Sequence, residues 1–130
     1  MSISMVEKDA AIAYARAWNT LDTTVILELL DEDARYTSQW VLEELEGKDA
    51  ISEYLIQKMN AVKDAGVNVY AELGITRSES SDRDCVLMSQ GKKDEVQAVV
   101  FFEINNNKIQ RYDLCMSELL NAKRTGVYPS

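Results

Sequence analysis

The sequence contains no histidine. That absence excludes Ser–His and Cys–His nucleophile pairs, HExxH zinc sites and imidazole proton shuttles. Any chemistry would fall to carboxylates, Tyr, Ser, Lys or Cys. One proline and five glycines punctuate 130 residues, so regular elements should dominate. Basic residues are scarce: 14 Lys and Arg stand against 22 Asp and Glu, a formal net charge of -8, and no stretch is strongly basic. Nucleic-acid binding needs a positive surface that displaces counterions, so no nucleic acid is expected as a partner. An anionic membrane surface is disfavoured for the same reason. No apolar run approaches the ~20 residues of a membrane span. The opening segment, Met1 to Asp9, lacks a basic region followed by an apolar run and is not expected to act as a signal peptide. The two cysteines, Cys85 and Cys115, form no CxxC and read as buried thiols of a cytoplasmic protein. Neither has an adjacent base or basic cluster in sequence, so reactivity is not indicated. The acidic segment with Glu43, Glu44, Glu46 and Asp49 lacks calcium-loop spacing and reads as solvated surface; no metal and no other cofactor is expected.

Apolar residues make up 46% and charged residues 28%, a globular balance. The length suits one domain with its own core, here residues 6–116 followed by a tail at 117–130. Helical patterns come first and strand patterns follow, which points to the α+β class.

Residues 6–20 read as a helix, because Ala11, Tyr14, Ala15, Trp18 and Leu21 recur at three- and four-residue steps. Asp22 is a good N-cap for a short helix from Thr23 to Leu30, which the acidic turn Asp31-Glu32-Asp33 would end. Residues 34–41 alternate as a strand, with Ala34, Tyr36, Ser38 and Trp40 on one face. An acidic loop, Glu43 to Gly47, is expected next. A third helix spans Lys48 to Ala65 with Ile51, Tyr54, Leu55, Met59 and Val62 as its stripe, and Gly66 sits where a left-handed cap is expected.

The remainder reads as an antiparallel meander: strands at Val67–Thr76, Cys85–Gly91, Val96–Ile104 and Lys108–Met116, with a strong turn signal at Asn105-Asn106-Asn107. The tail is expected to be partly helical at Ser117–Lys123 and loose beyond. Within the third of these strands, Val96, Ala98, Val100, Phe102 and Ile104 form one apolar face. The other face holds Val99 and Phe101, which helices on one side of the sheet would leave exposed. That pair predicts a homodimer formed sheet to sheet.

Several local patterns resemble the nuclear transport factor 2-like superfamily, which includes ketosteroid isomerases and polyketide cyclase-like proteins. Tyr14-Ala15-Arg16-Ala17-Trp18-Asn19-Thr20-Leu21-Asp22 looks like its first-helix exit. Leu29-Leu30-Asp31-Glu32-Asp33-Ala34-Arg35-Tyr36 looks like its acidic turn leading into a strand. Gly47-Lys48-Asp49-Ala50-Ile51 resembles the start of its third helix, and Asn107-Lys108-Ile109 the start of its last strand. The resemblance implies a cone-shaped curved antiparallel sheet with three helices on its concave face, and between them a pocket for a small, largely apolar molecule. The chain departs from the catalytic patterns. Ser38 falls where isomerase-like members carry an Asp base, and Val100 falls near their second acid. Cyclase-like members use a His, which is missing here.

Tyr14 and Asp113 are the candidate catalytic pair. Tyr14 resembles the family's oxyanion donor; Asp113 would become a base if it faced inward and burial raised its pKa. Outward, it would form a solvated pair with Arg111. Trp18, Tyr36, Ser38, Trp40, Tyr54, Met59, Met88 and Phe102 are candidate ligand contacts, and each is also a plausible core position. Three functions stay open: a binder of a small apolar molecule, an isomerase or lyase/cyclase acting next to a carbonyl, and a non-catalytic dimeric interaction module.

Overall fold

The computed structural model describes residues 5–39, 41–77, 82–116 and 121–130. The elements run α1 (Glu7–Thr20), α2 (Thr24–Leu29), β1 (Leu30–Ser38), β2 (Val41–Glu46), α3 (Lys48–Ala65), β3 (Val69–Arg77), β4 (Asp82–Gln90), β5 (Val96–Asn105), β6 (Lys108–Cys115) and β7 (Ala122–Arg124). Seven strands form one curved, unclosed sheet in the order β2-β1-β6-β5-β4-β3-β7. The α+β class and the three helices match the expectation from sequence.

Local chemistry accounts for the boundaries. The side chain of Asp22 accepts hydrogen bonds from the Thr24 amide at 2.9 Å and the Thr24 hydroxyl at 2.7 Å, which caps the start of α2. Gly66 closes α3 in the left-handed region, φ 66°. Between β5 and β6 the two-residue turn places Asn106 and Asn107 at φ 53° and 62°, the pairing of left-handed residues that matches the twist of a hairpin.

Four expectations are corrected. β1 begins at Leu30, so Asp31-Glu32-Asp33 already lies in the strand; the pairing with β6 shifts register across this run, where Asp31 accepts from the Asp33 amide at 2.9 Å. The segment read as an acidic loop is β2, paired antiparallel to β1. Two of its glutamates face Arg35 of β1, whose guanidinium lies 3.2 Å from Glu44 and 3.3 Å from Glu46. The sheet is mixed, because β1 runs parallel to β6. The end of the chain is neither helical at Ala122–Lys123 nor loose: β7 pairs with β3, and Val127 accepts from the Leu73 amide at 2.9 Å. Residues 117–120, also expected to be helical, lie outside the described residues.

The main core lies between the sheet's inner face and α1 and α3. Tyr36, Val86, Ala98, Val100, Phe102, Tyr112 and Leu114 supply the sheet side, and Ala10, Ala11, Tyr14, Ala15, Ile51, Leu55 and Met59 the helix side. The alanines of α1 let that helix approach the sheet closely. A second cluster occupies the outer face: Cys85, Leu87, Val99 and Phe101, flanked by Val96, Cys115 and Ala122. Val99 is 0% exposed and Phe101 7%, with the Arg83 guanidinium 4.8 Å over the Phe101 ring. The exposed apolar pair on which the homodimer expectation rested is therefore covered within the single chain.

Candidate ligand-binding cavity

A cavity of about 300 Å³ opens between the C-terminal half of α3 and the inner face of the sheet. Its floor is made by Tyr14, Tyr36, Leu55 and Leu114, all buried, with the half-buried Trp18 and Tyr54 beside them. Its walls are Val62, Val67, Val69 and Met88, and its rim Lys58, Ala61, Ala65, Gln90 and Gln97. Mean lining is apolar with a few polar groups, the general character of small-molecule sites.

The aromatic floor is a packed cluster. Tyr36 stacks on Tyr112 with ring centroids 4.4 Å apart, Tyr14 meets Phe102 edge-on at 5.4 Å and Tyr112 at 5.5 Å, and Tyr54 lies 5.4 Å from Tyr36. Burial pushes the Tyr14, Tyr36 and Tyr112 hydroxyls far above the ordinary phenol range. For Tyr14 the neighbouring Trp18 indole opposes that rise, and for Tyr36 the bond with Ser38 does so. These three phenols stay neutral at physiological pH, so they donate hydrogen bonds and do not take protons. Among the described residues, the buried Tyr112 hydroxyl has no hydrogen-bond partner, a cost of about 1–3 kcal/mol.

No Asp or Glu lines the cavity among the described residues. Asp113 lies on the outer face of β6, opposite Thr37 of β1 and Phe101 of β5. The Thr37 hydroxyl donates to it, and Arg111 Nε lies 3.1 Å from both of its oxygens. That pair holds the Arg111 guanidinium firmly protonated. Asp113 and Tyr14 therefore sit on opposite faces of the sheet, and the expected catalytic pair is not assembled. The reason is register: Tyr112 and Leu114 carry the apolar alternation inward, so Asp113 faces out.

Of the other expected contacts, Trp18, Tyr36, Tyr54 and Met88 line the cavity. Ser38, Met59 and Phe102 are buried around it but are not part of its lining. Trp40 lies outside the described residues. Sequence reasoning missed Ser89 and Gln97. The β4–β5 register shifts between Met88 and Ser89, so these consecutive residues both reach the cavity. A bulge breaks the two-residue period that the reading relied on. Lys58, on the exposed flank of α3, gave no signal in the apolar stripe.

Residues 11–112 match the model of the SnoaL-like domain. The chain belongs to the SnoaL-like domain family. A putative polyketide cyclase from Sinorhizobium meliloti is similar in structure, with a TM-score of 0.59 and 19% identity over 82% of this chain and 94% of that one. So is a SnoaL-like protein of unknown function from Burkholderia thailandensis, at 0.58 and 15%, covering 90% and 95%. An orange carotenoid protein from Anabaena, solved binding canthaxanthin, gives 0.61 and 18%; 93% of this chain corresponds to 40% of that one. At such identities the likeness carries the fold alone. No curated sequence matches the chain significantly. No described helix is long and apolar enough to cross a membrane.

Proposed function

We propose that this SnoaL-like domain binds a small, largely apolar molecule that presents a carbonyl or hydroxyl oxygen to the phenols of the cavity floor. The observation that carries this reading is the combination found in the cavity: an apolar wall, neutral Tyr14 and Tyr36 hydroxyls with Tyr54 beside them, and no carboxylate among the described residues. Hydroxyl donors orient and polarise an acceptor oxygen. Enolisation next to a carbonyl also needs a proton acceptor within hydrogen-bond reach, and Asp113 is on the other face. The likeness to a carotenoid-binding protein agrees with an apolar occupant, and the likeness to a putative polyketide cyclase keeps a carbonyl compound in view.

Isothermal titration with 2-octanone tests the reading. Saturable binding at one site, lost in Val62→Trp with an unchanged circular dichroism spectrum, is the expected result. Equal binding by both proteins, or none by either, would refute it.

A non-catalytic dimeric module is the second reading. Since Val99 and Phe101 are covered, a sheet-to-sheet homodimer would form over the half-exposed ion pairs of Arg35, Arg111 and Glu44. Light scattering at micromolar concentration distinguishes monomer from dimer. Cys85 and Cys115 form no disulfide, which fits the reducing cytoplasm as the proposed location.

A further inference from the structure

Among the described residues, Lys58 is the single charged side chain lining the cavity. It stands exposed at the rim, with its ammonium 5.6 Å from the centroid of the Tyr54 ring. Tyr54 in turn packs on Tyr36 of the floor, so the cation is placed by the same aromatic cluster that forms the site. No ion pair among the described residues involves Lys58. Arg35, Arg83, Lys92, Arg111 and Arg124 have acidic partners; what sets Lys58 apart from the other lysines is its place at the mouth of the cavity.

The rest of the rim is neutral: the amides of Gln90 and Gln97, and the small Ala61 and Ala65, which leave room beside the ammonium. Polarity thus runs in one direction, from neutral phenol donors at the floor, through an apolar wall, to one cation and two amides at the mouth.

Resting on the cavity reading above, we propose that the occupant is an amphipathic carboxylate, with its apolar body inside and its anionic head at the rim against Lys58. The reverse orientation would strip a carboxylate of water against phenols alone, with no cation to offset the desolvation. At the rim the head keeps part of its hydration while gaining Lys58 and the amide donors of Gln90 and Gln97. The magnitude is that of a half-exposed ion pair, worth up to about fivefold in affinity. It should weaken as salt is added.

The test is calorimetric titration of the full chain with sodium octanoate and, separately, with 1-octanol, in wild type, Lys58→Gln and Lys58→Arg. The proposal expects Lys58→Gln to weaken octanoate about fivefold, Lys58→Arg to retain it, and octanol to bind all three alike. Octanol guards against a merely structural role, since a disturbed Tyr54 would weaken both probes equally; that outcome overturns the proposal. Octanoate binding unchanged in Lys58→Gln overturns it too. If octanol binds wild type and octanoate does not, the cavity reading stands and the anionic head is wrong. If neither probe binds wild type, the cavity reading fails and this proposal falls with it.

Discussion

The two faces of the sheet are built from the same strands and treat polar groups in opposite ways. On the outer face they are tied into partners. Glu72, 2% exposed, accepts from Arg124 Nε at 2.8 Å, the Gly126 amide at 2.7 Å and the Tyr128 hydroxyl at 3.1 Å. Asp113 is held by Thr37 and Arg111, and Arg111 reaches Glu44 at 2.6 Å. On the inner face the buried Tyr112 hydroxyl has no partner among the described residues, and Tyr14 and Tyr36 line an open cavity. The outer network holds the C-terminal segment against β3 and reads as stability. The inner face borders a space lined by apolar groups and phenols, which is the arrangement expected of a ligand site.

Alkaline pH should have the largest effect, because it reaches buried acids on both faces. Burial raises the Tyr14, Tyr36 and Tyr112 hydroxyls, and it pushes the Cys85 thiol up from 9.0 to about 12. The folded chain keeps these protons while the unfolded chain loses them, so their stabilisation is complete below the unfolded values and is lost as pH rises. For Cys85 the window runs from 9.0 to about 12. The melting temperature should be level up to its lower edge and fall continuously beyond it.

The outer network is tested by Glu72→Ala, which leaves Arg124, Gly126 and Tyr128 without their acceptor. Urea unfolding should show a loss of about 2–3 kcal/mol, with 2-octanone affinity unchanged. A smaller loss, about 1–2 kcal/mol by overpacking, is expected for Gly74→Ala, because the new Cβ would stand 2.8 Å from Cγ of the buried Leu87 across the β3–β4 ladder. The inner face is tested by Tyr14→Phe. It should weaken 2-octanone about fivefold, one hydrogen bond's worth, and barely change the melting temperature. Asp113→Asn should matter least: under about 1 kcal/mol of stability and no change in ligand binding. A marked effect of Asp113→Asn on binding would break the division between the faces.

Much of this architecture was legible in the sequence, and the failures have physical causes. Helix spacing located α1 and α3, and the asparagine turn located the β5–β6 hairpin, because apolar period and left-handed residues are local properties. Alternation also grouped Tyr36 with Ser38 on one face of β1 and Phe102 with Val100 on one face of β5, but it left open which face of β6 points inward. What pattern could not supply was long-range pairing. β2 pairs with β1, and Glu44 meets Arg35 of β1 and Arg111 of β6, one strand further on. Glu72 is buried because a tail more than fifty positions away brings Arg124 and Tyr128 over it. Val99 and Phe101 are covered by groups such as Arg83 and Ala122 that no strand period reveals. At the cavity, Tyr14, Trp18 and Tyr54 followed from helical spacing and Tyr36 from strand alternation, whereas Ser89 and Gln97 depend on a bulge and Lys58 on where α3 crosses the sheet.

The most direct test of the central claim is a ¹H–¹⁵N NMR titration of the protein with 2-octanone. The account predicts saturable shifts at the Trp18 indole and at the amides of Tyr14, Tyr36, Tyr54 and Met88, with Glu72, Arg111 and Asp113 unmoved. Shifts confined to the outer face, or none at saturating ligand, would contradict it.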